Sequence, residues 1–125
     1  PLLESTANVV LMENIGRKLF QLSQFEMQQQ AYNDWNTVIN ESVVRAAVFI
    51  YMIDNKLLNR NTSQFMLNEM YRRGFRWMPE LVVGLRKYSS NREQYKTLND
   101  FYPEIASCLS KYIDDETERI VKALR

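Results

Sequence analysis

The sequence predicts an all-α protein, a closed bundle of about five helices around one long central helix. The 125 residues include only three glycines and three prolines, too few for a sandwich or barrel with many tight turns. Apolar residues recur at spacings of three and four, which is the period of a helix. No stretch of any length is a candidate strand. The length fits a single domain over residues 1–125.

The first segment predicts a helix from about Ser5 to Leu22. Ser5 is a suitable N-cap because its hydroxyl can accept a hydrogen bond from a free backbone N–H. The apolar stripe of this helix is predicted to comprise Ala7, Leu11, Ile15, Leu19 and Leu22.

Residues 23–59 predict the central helix. Neither glycine nor proline interrupts this stretch, and apolar residues keep a helical spacing from Met27 to Leu57. At 1.5 Å per residue the helix would be about 50 Å long. Residues 43–53 are apolar except for Arg45, so we expect other helices to surround this half. The run is too short for a membrane anchor, which takes about 20 apolar residues.

Shorter helices follow the central one. A polar break at 59–63 precedes a third helix, which is N-capped by Asn61 or Thr62 and ends at Gly74, a residue that adopts the left-handed conformation easily. Its core side is predicted to carry Phe65, Met66, Met70 and Tyr71. Pro79 then opens a fourth helix that runs to about Tyr88.

The last helix is predicted to start near Asn99 or Asp100, with Pro103 in its first turn. An acidic run at residues 114–116 is a candidate interruption, which would give a sixth helix. The buried stripe is predicted to comprise Phe101, Ile105, Cys108, Leu109, Tyr112 and Ile113.

The composition argues against an enzyme. The chain has no histidine, the commonest general base and metal ligand. Its single cysteine, Cys108, excludes an internal disulfide and a two-cysteine zinc or redox motif, and we interpret it as a small buried hydrophobe. Residues 114–118 contain four acids without the alternate spacing and glycine of a calcium loop. We therefore expect no catalytic residues, no metal site and no cofactor.

One segment is strongly basic. The net charge is +1, but residues 72–96 carry seven cations and two acids, with aromatic residues between them. Basic and aromatic residues together are typical of recognition sites. We predict a partner- or membrane-binding surface comprising Arg72, Arg73, Arg76, Trp77, Arg86, Lys87, Arg92 and Lys96. A plain solvated face is the simplest alternative, and for Trp77 the alternative is core packing.

Asn61 is a candidate glycosylation site. Asn61, Thr62 and Ser63 match the acceptor sequence and lie in the predicted loop, so Asn61 would be modified if the chain is secreted.

Three stretches resemble the sperm lysins of marine gastropods and their paralogue, the sperm fusagenic protein. Leu22-Ser23 opens the long helix at the corresponding place, and Asn68-Glu69-Met70-Tyr71-Arg72-Arg73 is similar to the family's Glu-apolar-x-Arg-Arg stretch. Asp100-Phe101-Tyr102-Pro103-Glu104-Ile105 resembles its aromatic, acidic turn near the end. The resemblance spans about residues 22–107. Lysins are strongly basic, whereas this chain is nearly neutral.

The resemblance implies a closed five-helix bundle and a secreted acrosomal protein that acts in fertilisation without catalysis. Its partner would be an anionic membrane surface, as for the paralogue, or an egg-coat glycoprotein, as for lysins. Only Arg72 and Arg73 are carried over from the family; the other basic residues are our extension.

Two other classes stay open. The first is an intracellular helical adaptor, viral or eukaryotic, that holds a partner helix in a groove. The second is an RNA-binding module that uses residues 72–96, which is less favoured because the whole chain lacks a large positive charge. A homodimer is compatible with each class.

Overall fold

The computed structural model describes residues 6–125, and the side chains of residues 8–97 and 99–125. It is 79% helical, with six helices and no strand in the described range, which confirms the all-α class. The helices are α1 (Thr6–Leu22), α2 (Gln24–Gln29), α3 (Trp35–Asp54), α4 (Arg60–Arg72), α5 (Met78–Ser90) and α6 (Leu98–Ala123).

Four helices form a closed ring around the core. α3 and α6 each pack against both α1 and α5, while α2 adjoins α1 and α4 adjoins α5. The four largest fully buried side chains come from α6 and from the residues just before α5: Phe75, Trp77, Phe101 and Tyr102. Phe75 and Trp77 meet edge to face with ring centroids 6.1 Å apart, a favoured aromatic geometry.

The predicted unbroken helix over 23–59 is wrong. α2 ends at Gln29 and α3 begins at Trp35, because Ala31 adopts the left-handed conformation with φ 63°. The N–H of Tyr32 bonds the Met27 carbonyl at 2.9 Å and the N–H of Ala31 bonds the Gln28 carbonyl at 3.0 Å, which together make a Schellman motif. The helix then restarts at the N-cap Asp34.

α3 ends at Asp54 in the same way, at a second Schellman motif. Lys56 has φ 58°, and the N–H of Leu57 bonds the Met52 carbonyl at 2.9 Å. Gly74 ends α4 with φ 100°, and the N–H of Phe75 bonds the Met70 carbonyl at 2.9 Å, so the predicted role of Gly74 is confirmed.

The starts of α4 and α6 also differ from the prediction. Asn59, not Asn61 or Thr62, is the N-cap of α4, and Thr62 completes a capping box with it. Thr97 is the N-cap of α6, with Asp100 as its capping-box partner. Pro79 lies in the first turn of α5 as predicted. The predicted N-cap Ser5 lies outside the described residues.

α6 is the longest described helix, at 26 residues, and the acidic run at 114–116 does not interrupt it. Pro103 lies inside α6 and lacks the N–H that would bond the carbonyl of Asn99. The buried side chain of Asn8 on α1 donates to that carbonyl at 2.8 Å. α1 thus supplies a hydrogen bond at the position where proline removes one.

Several predicted core residues are exposed. Leu11, Phe65 and Tyr71 are 39%, 65% and 59% exposed. On α1, the predicted burial of Ile15 and Leu19 is confirmed, but Met12 is buried in place of the predicted Leu11. No helix in the described range is long and apolar enough to span a membrane.

Candidate functional site

An open apolar groove of about 430 Å³ lies between α3 and α4. Val44, Arg45 and Val48 form its α3 wall. Its α4 wall comprises Phe65, Met66, Glu69, Met70 and the C-cap residue Arg73. Phe65 is 65% exposed, and Val44 and Val48 are each 48% exposed.

These side chains are exposed because α3 carries more apolar surface than its neighbours cover. The helix packs chiefly on α1 and α5, which bury Val38, Val43, Ala46 and Ile50. Of the remaining apolar residues of the 43–53 run, Phe49 is also buried, whereas Val44, Ala47, Val48 and Tyr51 are exposed. The prediction that helices surround this half of α3 is therefore wrong.

The exposed residues of α3 form a ridge between two grooves. Val44, Val48 and Tyr51 follow one another at helical spacings of four and three. On the far side of the ridge, a second apolar groove of about 270 Å³ separates Ile50 from Leu85. We call the ridge and the exposed aromatic ring beside it the α3 face: Val44, Ala47, Val48 and Tyr51 of α3, with Phe65 of α4.

The charge of Arg45, at one end of the groove, is used within the chain. Its guanidinium forms an ion pair with Glu41 and donates to the Tyr32 hydroxyl at 3.2 Å. The same guanidinium lies 4.6 Å from the ring centroid of Phe75, a cation–π contact. These contacts join Arg45 of α3 to Tyr32, in the break before α3, and to Phe75, and they fix the position of the guanidinium.

The other rim of the groove carries one cation with no ion pair in the described chain. Glu69 accepts from Arg72 at 2.8 Å, and this hydrogen bond lowers the pKa of Glu69. Arg73 is exposed, and its guanidinium forms no ion pair or hydrogen bond within residues 8–97 and 99–125. The groove is thus an apolar channel with a positive charge at its edge.

The structure does not gather the predicted basic surface into one patch. Arg76 pairs with Glu26 at 2.5 Å, and Arg86 pairs with Asp54 at 2.8 Å. Arg92 lies 4.7 Å from the ring centroid of Tyr88. The segment spans both ends of α5, which at 1.5 Å per residue are about 18 Å apart. Lys87 and Lys96 are exposed.

Trp77 is a core residue, and its predicted place on a binding surface is wrong. Its side chain is 0% exposed, and its indole N–H donates to the Ser42 hydroxyl at 2.9 Å. The Ser42 hydroxyl in turn donates to the Val38 carbonyl at 2.7 Å. Trp77 therefore joins the start of α5 to α3.

The remaining candidate residues fall in ordinary surroundings. Asn61 is exposed, but it lies in the first turn of α4 and not in a loop. Cys108 is half-buried, and burial raises the pKa of its thiol. Asp115 pairs with Lys111, and Glu116 with Arg119, along α6. In the described range no group of three acidic, cysteine or histidine residues could hold a metal ion.

Sequence reasoning missed the α3 face. The apolar run at 43–53 was visible, but a helix that is apolar on every side gives no periodic signal for which side stays open. Which side of α3 stays exposed depends on how many helices pack against it in the fold.

Comparison with protein-family models assigns the chain to a family. The model of a domain of unknown function, DUF4932, matches residues 1–108, so the chain belongs to that family. The match extends from the start of the chain to about the middle of α6. No curated protein and no solved structure matches the chain.

Proposed function

We propose that this member of the DUF4932 family is a non-catalytic binding domain whose α3 face takes an amphipathic helix of a protein partner. The observation that carries the proposal is the open groove beside Val44 and Val48, with Phe65 exposed across it. Contiguous exposed apolar side chains with a polar rim are typical of protein interaction sites. A sequence without histidine supports the non-catalytic part.

The geometry favours a helix as the ligand. The ridge residues Val44, Val48 and Tyr51 repeat at the helical spacing, and the grooves on its two sides run beside α3. A helix that lies in such a groove presents apolar residues at i, i+3 or i+4, and i+7. Each valine or phenylalanine side chain that becomes fully buried contributes about 1.5–3 kcal/mol.

The positive charge at the groove rim favours amphipathic helices that carry an acidic residue. Arg73 is the cation at the groove rim that has no ion pair in the described chain, so an acidic residue beside the partner's apolar stripe complements it. Such a pair contributes mainly to specificity and to the rate of association.

Selection of helical peptides against the full chain tests the proposal. Peptides selected from a display library are expected to carry an apolar i, i+4, i+7 pattern and an acidic residue. Val48→Glu should weaken their binding at least about tenfold, which corresponds to about 1.4 kcal/mol. The matched control is Val83→Glu, on α5 and outside the α3 face, where the valine is 62% exposed.

The control variant should bind the peptides as the unchanged chain does. Peptides that bind both variants equally well would mean that the α3 face is not the binding site, and the proposal would fail.

The resemblance to sperm lysins supports a second proposal, a secreted protein that acts in fertilisation on a membrane or an egg coat. Arg72 and Arg73, the residues carried over from that family, are exposed at the end of α4. The resemblance depended on an unbroken helix over 23–59, and the chain has two helices there, so we place this proposal second. Leakage of anionic vesicles at micromolar protein is its test, and intact vesicles together with no binding to an egg-coat extract would rule it out.

A further inference from the structure

We infer that the α3 face of one copy of this chain receives the C-terminal part of α6 of a second copy. The inference rests on the proposed function and names the partner. The chain carries both halves of such a contact: the open apolar groove between α3 and α4, and a helix whose apolar stripe continues beyond the bundle.

The core-facing stripe of α6 does not end with the core. Ile113 is 7% exposed, where the end of α1 lies beside it. Farther along the same helix, Ile120, Val121 and Leu124 are 37%, 40% and 82% exposed. At 100° per residue, positions 113, 117, 120 and 124 fall on one side of the helix. The stripe is therefore buried up to Ile113 and uncovered after it.

This part of α6 has the form of the ligand that the α3 face requires. Ile120 and Leu124 are four residues apart, and Val121 stands beside them. The region remains helical to Ala123 and is supported along its polar side by ion pairs between Lys111 and Asp115 and between Glu118 and Lys122. A helix that is already formed loses little further backbone entropy on docking.

The charges of the two surfaces complement each other. Asp114 is exposed at the edge of the α6 stripe and has no ion pair in the described part of the chain. Arg73, at the rim of the groove, likewise has none. The neighbouring acids of α6 already have partners: Asp115, Glu116 and Glu118. The contact between copies would thus pair Arg73 with Asp114, neither of which forms an ion pair in the described chain.

The contact is heterologous, because the groove and the α6 stripe are different surfaces. Two variants can therefore each lose one surface and keep the other. Val48→Glu removes the groove. Ile120→Glu with Leu124→Glu removes the stripe. All three positions are at least partly exposed, so the bundle should stay folded, which circular dichroism and thermal unfolding check.

Sedimentation of the full chain is the test. The unchanged chain is expected to associate as its concentration rises from about 1 to 500 μM, and each variant alone should remain monomeric. An equimolar mixture of the two variants should form a one-to-one dimer, because the intact groove of one accepts the intact α6 of the other. A monomeric unchanged chain, or a mixture that stays monomeric, overturns the inference.

Charge reversal gives a second readout that leaves the apolar residues in place. Arg73→Glu and Asp114→Arg should each weaken association about threefold to tenfold, and the double variant should return to within about twofold of the unchanged chain. Double-variant association as weak as that of the single variants would contradict the pairing of these two residues.

Failure of this inference is distinguishable from failure of the proposed function. If selected peptides bind in a Val48-dependent way while the chain is monomeric, the groove is a binding site for another protein and only the self-association is wrong. If Val48→Glu leaves both peptide binding and association unchanged, both are wrong.

Discussion

At the residue scale, Tyr102 places a polar hydroxyl in the apolar core. Its side chain is 0% exposed, and its hydroxyl has no hydrogen-bond partner in the described part of the chain. Burial raises the pKa of this phenol to about 12, because the apolar surroundings disfavour the phenolate. The neutral hydroxyl is tolerated, and its ionisation would oppose folding.

Replacing Tyr102 with phenylalanine should therefore stabilise the fold. At neutral pH we expect a gain of about 1 kcal/mol in the free energy of unfolding, since an unpaired buried hydroxyl is removed. Urea denaturation measures it. Tyr51→Phe, at a site that is 62% exposed, is the control and should change little.

The same phenol predicts a pH dependence. Its pKa is about 12 in the folded chain and about 10 when unfolded, so the unfolded state loses the proton first as pH rises. The stability that this difference provides is complete below pH 10 and is lost between about pH 10 and 12, by about 3 kcal/mol.

Urea midpoints from pH 9 to 12 check this loss. Tyr102→Phe should show a smaller decline than the unchanged chain. It should not abolish the decline, because the pKa of Tyr112 is also raised to about 12 by burial and by the charge of Glu116. Equal declines in the two proteins would contradict the account of Tyr102.

At the element scale, three helices end by the same backbone geometry with three different residues. Ala31, Lys56 and Gly74 all have positive φ, at 63°, 58° and 100°. Only the glycine is a recognisable stop signal in the sequence. At the breaks after α2 and α3, Ala31 and Lys56 adopt a strained backbone conformation that is unfavourable in free energy. The tertiary contacts of the flanking helices fix the direction of the chain and offset this strain.

These three positions give a matched set of variants. An L-residue in the left-handed conformation costs roughly 1–2 kcal/mol, which glycine avoids. Glycine also loses more conformational entropy on folding, and this loss offsets part of the stabilisation. Ala31→Gly and Lys56→Gly should therefore each stabilise the chain by about 0.5–1 kcal/mol.

Gly74→Ala should destabilise by more than about 1 kcal/mol, because an added Cβ would also lie 2.9 Å from the Cβ of Glu26. Thermal or urea unfolding measures all three variants. A destabilised Ala31→Gly variant would show that residue 31 does not have the left-handed conformation in solution.

Pro103 inside α6 is a second element-scale feature. Asn8 of α1 donates to the Asn99 carbonyl that the proline cannot bond. Asn8→Ala should cost about 0.5–1.5 kcal/mol, the net contribution of one hydrogen bond. In a Pro103→Ala background, the restored backbone N–H of residue 103 can donate to the Asn99 carbonyl. Asn8→Ala should therefore lower the free energy of unfolding by less in that background.

A double-mutant cycle by urea denaturation measures the difference, with the exposed Asn14→Ala as the control on the same helix. If Asn8→Ala costs the same in both backgrounds, the asparagine does not substitute for the missing backbone donor.

The sequence predicts the elements better than their limits. The helices before Gly74 and after Pro79 carry residues that punctuate helices for stated steric reasons, and both predictions are confirmed. The break at residues 30–34 has no glycine or proline. Beside the left-handed Ala31, the Gln30 side chain donates to the Glu26 and Arg73 carbonyls at 3.0 and 2.7 Å. A contact over that distance in sequence is not visible without the fold.

At the scale of the whole molecule, four helices close a ring and leave one of them partly uncovered. The apolar run on α3 predicts a buried helix, but α1 and α5 cover only part of its circumference. The basic segment predicts one patch, but α5 separates its members and ion pairs neutralise Arg72, Arg76 and Arg86. Which surface stays open follows from the packing of the ring and not from any local pattern.

The central claim is that the α3 face is where this protein binds another helix. Methyl-selective NMR of the full chain, titrated with a selected helical peptide, tests it most directly. We predict that the methyl signals of Val44, Val48 and Met66 shift with one common affinity, while those of Val10 and Val83, which are exposed elsewhere, stay in place. Saturable shifts at Val83 with none at Val44 and Val48 would contradict the claim.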